Sequence, residues 1–236
     1  MKVYSHRGES SYAPENTMSA FYLADLVNSD GMETDIRKTK DDVLVLIHDK
    51  TIDRTSNSSG KVSDYTYKEL LNMDFGNNSY KGEKIVKLDD FLKYFSNKNK
   101  QIFLEVKEKG YEDDIVELVN KYNSENITII SFKYDVLEKF RKLSKKVRLG
   151  WLIYDVTNKI IEECKKIKLN DVLVISAGLS EKEVKLLHEN GFTVGVWGVL
   201  NKKDIKRLYK MNVDKLIYDS GYIAKKVIKE ISNEQV

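Results

Sequence analysis

Residues 101–131 read QIFLEVKEKGYEDDIVELVNKYNSENITIIS, a strand, a helix and a second strand in one stretch. Ile102–Val106 and Ile127–Ser131 are short runs rich in β-branched and apolar residues, whereas Asp113–Tyr122 repeats apolar residues three and four apart. Toward the C-terminus the same alternation continues. Strands are expected at Val147–Ile153, Val172–Ser176, Thr193–Val199 and Lys215–Tyr218, and helices at Tyr134–Leu143, Ile160–Ile167, Glu181–Glu189, Lys203–Tyr209 and Ile223–Ile231. Toward the N-terminus, Val3–Ser5 and Met32–Ile36 flank a helix over Thr17–Val27. Eight strands threaded by helices predict an α/β chain closed into a (β/α)8 TIM barrel. An open doubly wound sheet is the rival, but no Gly-rich dinucleotide loop follows the first strand.

Residues 50–86 break the rhythm with the turn-forming Ser56-Asn57-Ser58-Ser59-Gly60 and Gly76-Asn77-Asn78, just after a short strand at Val43–Ile47. The expectation is one domain over 1–236 with an insertion at about 50–86 overhanging the C-terminal mouth, where barrel loops build active sites. The plainer alternative is an inert surface loop. With 236 residues, no internal repeat and Pro14 as the only proline, a second full domain is not indicated.

Hydrophobic residues make up 41% of the chain and charged residues 33%, a folded and not a disordered balance. The net charge of +3, from 40 basic and 37 acidic residues, does not demand nucleic acid. The Lys pairs at 145–146, 165–166, 202–203 and 225–226 read as solvated helix faces. Cys164 is the only cysteine, so no intramolecular disulfide forms, and its helical pattern turns it to the core. Met1 leads directly into the first strand, and no apolar run approaches the roughly 18 residues of a membrane span. A cytoplasmic protein without stable membrane insertion is expected. Nothing in the sequence sets an oligomeric state.

Chemistry enters through charges inside apolar strands. Glu33 and Asp35 lie two apart and share one face of a strand, as do Glu105 and Lys107. If both strands aim these pairs at the barrel mouth, three carboxylates converge in the oxygen-rich setting that Mg²⁺ or Ca²⁺ requires. Outward-facing or mutually paired charges are the alternative, though charges in two such strands are costly to bury unpaired. Of three histidines, His6 and His48 each end a strand in a polar turn, whereas His188 sits within a helix as a structural or exposed residue. Two positioned imidazoles suffice for general acid and base. Arg7 follows His6, and Gly8 permits a sharp turn, so the guanidinium can either meet an anionic oxygen at the mouth or form a surface ion pair.

These residues resemble the glycerophosphodiester phosphodiesterase family. The likeness runs through His6-Arg7-Gly8, Pro14-Glu15-Asn16-Thr17, Ala20-Phe21, Glu33-Thr34-Asp35-Ile36, Thr39-Lys40-Asp41 and His48-Asp49. It continues through Asp53-Arg54-Thr55, Gly60 and Glu69-Leu70 to Leu104-Glu105-Val106-Lys107, with Ser131-Phe132, Val196-Trp197 and Asp219 as later landmarks. It spans essentially the whole chain and is densest over 3–107. The resemblance implies His6 and His48 as acid and base, Glu33, Asp35 and Glu105 as ligands of a divalent ion, Mg²⁺ or Ca²⁺, and Arg7 and Lys107 as phosphate partners. Trp197 stands either as an apolar wall for the glycerol carbons or as a core residue. The chain departs from the family pattern at Gly198 and Tyr218, where threonine is usual, and at Val86, where proline is usual. Those departures bear on substrate preference more than on the reaction.

The implied activity is metal-dependent hydrolysis of a small-molecule glycerophosphodiester to glycerol 3-phosphate and an alcohol. A lysophospholipase D-like or sphingomyelin-headgroup phosphodiesterase is the second enzymatic reading, and a non-catalytic phosphate-ester binding module the reading from another class. Both histidines and all three acids argue against the module. An amidohydrolase barrel is weaker still, because it needs several histidine ligands and no His-x-His pair occurs.

Overall fold

The computed structural model describes residues 1–122 and 125–234. In chain order the strands are β1 Lys2–His6, β2 Gly31–Lys38, β3 Leu44–Leu46, β4 Val86–Lys87, β5 Gln101–Val106, β6 Ile127–Ser131, β7 Arg148–Ile153, β8 Asp171–Ile175, β9 Thr193–Trp197 and β10 Lys215–Tyr218. The helices are α1 Met18–Leu26, α2 Tyr67–Leu70, α3 Leu88–Phe95, α4 Glu112–Lys121, α5 Tyr134–Leu143, α6 Asn158–Lys166, α7 Glu181–Glu189, α8 Lys202–Lys210 and α9 Gly221–Glu234. Eight strands, all but β3 and β4, pair in parallel in the order β1-β2-β5-β6-β7-β8-β9-β10, and β10 returns to β1. That ring is a closed TIM barrel, as the alternation of strand and helix predicts.

Helix ends follow their capping chemistry. Thr17, Thr157 and Ser180 each accept a backbone N–H at the start of α1, α6 and α7, and Ser180 with Glu183 forms a reciprocal capping box. The apolar helix faces then close on the barrel, burying Phe21, Ile115, Phe140, Ile161, Val184 and Ile205.

Two features lie outside the sequence expectation. Helix α3 was not anticipated, although Leu88, Phe91, Leu92 and Phe95 are all buried at helical spacing. It is only eight residues long and follows an irregular stretch, so its period has little room to show. It packs on α1, with the Phe91 ring 4.6 Å from that of Phe21. Lys145 and Lys146 lie past the end of α5 at Leu143 and not on a helical face.

Between β2 and α3 the chain leaves the barrel. Strand β3 runs antiparallel to β2, and β4 antiparallel to β3. Alternate residues of β3 serve two cores: Leu44 and Leu46 join the main one, while Val45 joins Ile47, Ile52, Val62, Leu70, Phe75 and Ile85 in a separate apolar cluster. The segment therefore has a core of its own.

Inside the barrel, Tyr4, Phe103, Ile130, Leu152, Leu173 and Ile217 form an apolar plug. Tyr4 stacks on Phe103 at 4.3 Å, and a Cβ on Gly31 would lie 2.6 Å from the Tyr4 ring, so that strand position has room for glycine alone. Two residues earlier on β8 and β10 stand Asp171 and Lys215, paired to each other at the N-terminal end of the barrel. Arg148 Nη2 adds a second contact to Asp171 at 3.2 Å.

Asp171→Ala would leave the Lys215 ammonium buried beside the Tyr4 and Phe103 rings with no counter-charge. Urea unfolding is expected to show a loss of about 3–5 kcal/mol.

Candidate active site

The strand period carries the plug into the site. Two residues on from Tyr4, Phe103, Ile130, Leu152 and Ile217, the same barrel face presents His6, Glu105, Phe132, Tyr154 and Asp219. All five line a cavity of about 430 Å³ at the C-terminal mouth, together with Arg7, Glu33, His48, Lys107 and Trp197. A larger depression of about 810 Å³ opens at the other end, among strand starts such as Lys2, Gln101, Arg148 and Lys215. Its lining holds no histidine and only one carboxylate, Asp214, so the chemistry belongs to the smaller cavity.

Parallel register gathers the acids. His6 is the partner of Glu33 across β1 and β2, and Asp35 is the partner of Glu105 across β2 and β5. Glu33, Asp35 and Glu105 are all buried, and one oxygen from each lies within 4.8 Å of the others. Like charges this close in a dry site cannot all stay ionised unaided. Burial and the Asp35 charge push Glu33 up to about 8, and the same two causes push Glu105 up to about 7. Burial acts on Asp35 too, but Lys107, Arg7 and His48 outweigh it and hold its carboxyl well below the usual range.

Lys107 Nζ sits between two of the acids, 2.8 Å from Asp35 Oδ1 and 2.6 Å from Glu105 Oε1. Arg7 Nε lies 3.2 Å from Asp35 Oδ2, and its backbone N–H donates to Glu33 Oε2 at 3.2 Å. Asn16 Nδ2 donates to Asp35 Oδ2 at 3.0 Å, its own carbonyl oxygen being held by Thr34 Oγ1 at 2.7 Å. Asp35 Oδ1 is buried with the Lys107 ammonium against it. Three hard oxygen donors suit a cation such as Mg²⁺ or Ca²⁺ and not a soft ion.

Each mouth histidine is backed by a carboxylate. Asp219 Oδ1 is 2.6 Å from His6 Nδ1, and Asp49 Oδ1 is 2.6 Å from His48 Nδ1. A carboxylate at Nδ1 makes that nitrogen the donor and leaves Nε2 free. Burial lowers the His6 pKa, yet the Asp219 bond and the Glu33 charge turn the net shift upward. For His48 burial prevails and the shift is downward. His188, the third histidine, pairs with Asp214 at 2.8 Å, outside the cavity.

The turn after β1 is built for close approach. Arg7 and Asn16 adopt left-handed backbones with φ of 56° each, and Asn16 N–H donates to Arg7 O at 3.0 Å. Gly8 has φ 81°, and a Cβ there would lie 2.6 Å from the Ala20 carbonyl carbon. Only glycine permits that fit. On the opposite wall, Trp197 Nε1 donates to Leu173 O at 3.2 Å, and its ring meets Phe132 at 5.1 Å and Tyr154 at 5.2 Å, nearly perpendicular to both.

The cavity thus gathers His6, Arg7, Glu33, His48, Glu105, Lys107 and Trp197, with Asp35 bonded beneath them. Gly198 and Tyr218 also line it, while Val86 does not and pairs with Leu46 instead. Sequence reasoning assigned no task to Asp219, Asp49, Glu15, Asn16 or Tyr154. Asp219 carried a usable signal, being a charge just past a barrel strand's C-terminal end. Its pairing with His6, 213 residues away, carried none.

A parallel barrel whose C-terminal mouth joins buried acids, two carboxylate-backed imidazoles and two cations defines a class, the barrel hydrolases that act on phosphate esters. The chain belongs to the glycerophosphoryl diester phosphodiesterase family, whose model matches residues 6–221. It is 30% identical over 226 aligned residues to the glycerophosphodiester phosphodiesterase of Caldanaerobacter subterraneus subsp. tengcongensis, covering 92% of this chain and 93% of the relative. It is 30% identical over 242 aligned positions to the Bacillus altitudinis glycerophosphodiester phosphodiesterase, covering 98% and 99%. Among solved structures, the Thermotoga maritima glycerophosphodiester phosphodiesterase superposes with a TM-score of 0.82 at 27% identity, covering 95% of this chain and 97% of that one. An Oleispira antarctica phosphodiesterase in complex with the product sn-glycerol-3-phosphate shares the fold, with a TM-score of 0.91 at 22% identity and 97% coverage of both chains. The chain is therefore an enzyme, a phosphoric diester hydrolase of glycerophosphodiesters.

Asp219→Asn would weaken the group that orients His6 and fixes its tautomer. Steady-state kinetics are expected to show kcat falling by about 10- to 100-fold with unfolding temperature little changed.

Proposed function

We propose that this chain cleaves glycerophosphodiesters to glycerol 3-phosphate and an alcohol, with a divalent ion held by Glu33, Asp35 and Glu105 and with His6 and His48 as the acid–base pair. The observation that carries the reading is the buried carboxylate trio, its oxygens within 4.8 Å of one another, beside two imidazoles at the same cavity. The sn-glycerol-3-phosphate held by the Oleispira antarctica protein supports the product.

A divalent ion bound there, Mg²⁺ or Ca²⁺, supplies positive charge to the non-bridging phosphate oxygens. Attack at phosphorus adds negative charge to those oxygens, and the Arg7 guanidinium and Lys107 ammonium stabilise it. One imidazole takes the proton from the attacking oxygen, either water or the neighbouring glycerol hydroxyl. The other gives a proton to the departing alkoxide, so the pair ends with one proton exchanged. Lys107 has a second task, since it already neutralises Asp35 and Glu105. Trp197, with Phe132 and Tyr154, offers the carbon skeleton an apolar wall.

We take residues 1–236 as one domain, with 50–86 as an insertion whose Arg54 reaches the rim residue Glu15. Among the described residues no helix is long and apolar enough to cross a membrane. A cytoplasmic location, a small-molecule substrate and no nucleic-acid partner complete the reading.

His6→Ala and His48→Ala are each expected to lower turnover of a glycerophospho-alcohol by about 10²- to 10⁴-fold, read as glycerol 3-phosphate release. Full activity in either variant would end that assignment. Chelation is expected to silence the enzyme and Mg²⁺ or Ca²⁺ to restore it, and hydrolysis undiminished after exhaustive chelation rules the ion out.

A further inference from the structure

His48 and Arg7 stand on separate loops, after β3 and after β1, and one side chain from the insertion ties them together. The Arg54 guanidinium donates twice to Glu15, Nη1 to Oε2 at 2.6 Å and Nη2 to Oε1 at 2.8 Å, and its Nε donates to Asp49 Oδ2 at 2.7 Å. Both carboxylates also engage a site residue, Asp49 through its other oxygen and Glu15 through the oxygen it shares with Arg54 Nη2. Asp49 Oδ1 faces His48 Nδ1 at 2.6 Å, and Glu15 Oε1 accepts from Arg7 Nη1 at 2.9 Å. The result is one continuous chain of charge-assisted bonds, His48–Asp49–Arg54–Glu15–Arg7.

We infer that Arg54 is a positioning residue for the reaction, a clamp that holds His48 and Arg7 in mutual register and makes the 50–86 insertion a working part of the site. The inference rests on the roles proposed above for those two residues. Arg54 touches neither directly, so it acts through Asp49 and Glu15. An isolated pair at the surface contributes little, and Arg54 is about half exposed, its side chain at 48%. Here the geometry differs: a planar fork spans two carboxylates with three N–H groups, which only a guanidinium can do. Lysine, a point charge, can serve one carboxylate at a time. The loss of such a clamp moves catalytic groups by fractions of an ångström, a displacement to which turnover is steeply sensitive.

The test is a set of variants in the full-length, metal-loaded enzyme. Arg54→Ala is expected to lower kcat/KM by about 10- to 100-fold, with Arg54→Lys intermediate and the far-ultraviolet dichroism of both unchanged. Guanidinium ion added to Arg54→Ala should raise its rate several-fold where urea at equal concentration does not, a response that a purely structural role would not produce. Adding Asp49→Asn or Glu15→Gln to Arg54→Ala should cost far less than the same change in the intact enzyme, because the chain is already cut. Additive losses, or no guanidinium response, would overturn the clamp. Should Arg54→Ala not fold, Arg54→Lys and the Glu15→Gln and Asp49→Asn pair carry the cycle. His48→Ala and Arg7→Ala are assayed alongside. Full activity in those two removes the roles on which the clamp depends, whereas their inactivity beside an unimpaired Arg54→Lys removes the clamp alone.

Discussion

Three carboxylates buried side by side at one end of a barrel are the constraint around which this molecule is arranged. Oxygens within 4.8 Å of one another in a water-poor site repel strongly, and the neighbouring structure reads as a response to that repulsion. Lys107 sits between Asp35 and Glu105, Arg7 closes on Asp35 from the next loop, and Asn16 donates to the same carboxylate. Placing Arg7 and Asn16 there takes two left-handed backbones and a glycine pressed against α1. Two cations still face three acids, and Glu33, which has no lysine or arginine side chain on it, is driven furthest up. That shortage of positive charge is what would let the trio hold a divalent cation.

The other end of the barrel shows the contrast. Asp171 is equally buried, yet Lys215 and Arg148 satisfy both of its oxygens, and the Lys215 ammonium rests against two aromatic rings. Charge there is balanced inside the protein and is a matter of stability. At the mouth, three acids share the Lys107 and Arg7 side chains and the balance is incomplete. Two buried charge clusters in one barrel thus differ in purpose, and what separates them is the count of partners and not the depth of burial.

The barrel was legible because its strands are apolar runs of four to six residues from β5 onward, each followed by a helix with a clear period. What escaped was α3, eight residues behind an irregular segment, and the inner order of the insertion, whose core of Val45, Ile52, Val62, Leu70 and Phe75 is spread too widely for any period to reveal. In the site, Glu33, Asp35 and Glu105 were visible as charges placed where a strand should be apolar. The supports were not. Asp219 meets His6 across 213 residues, and Arg54 meets Glu15 across 39, contacts that barrel closure and loop folding decide. Local pattern finds the residues that violate it, whereas long-range partners conform to ordinary surface chemistry until the chain is folded.

The same division runs through the cavity. Most of its charged half comes from β1, β2, β5 and the turn carrying His48, within the first 107 residues, with Asp219 after β10 the exception, while its apolar half comes from Ile130, Phe132, Leu152, Tyr154, Trp197 and Ile217 on later strands or just past their ends. Charged groups packed this closely tolerate little change, since each one's ionisation depends on where the others lie. An apolar wall is held by area and shape, and swaps of similar volume leave it standing. The motifs are accordingly dense where the charges are and sparse along the wall, and Gly198 and Tyr218, the two departures that reach the cavity, both fall on the wall side. The charged and apolar sides of the cavity are thus set mainly by different strands of one barrel.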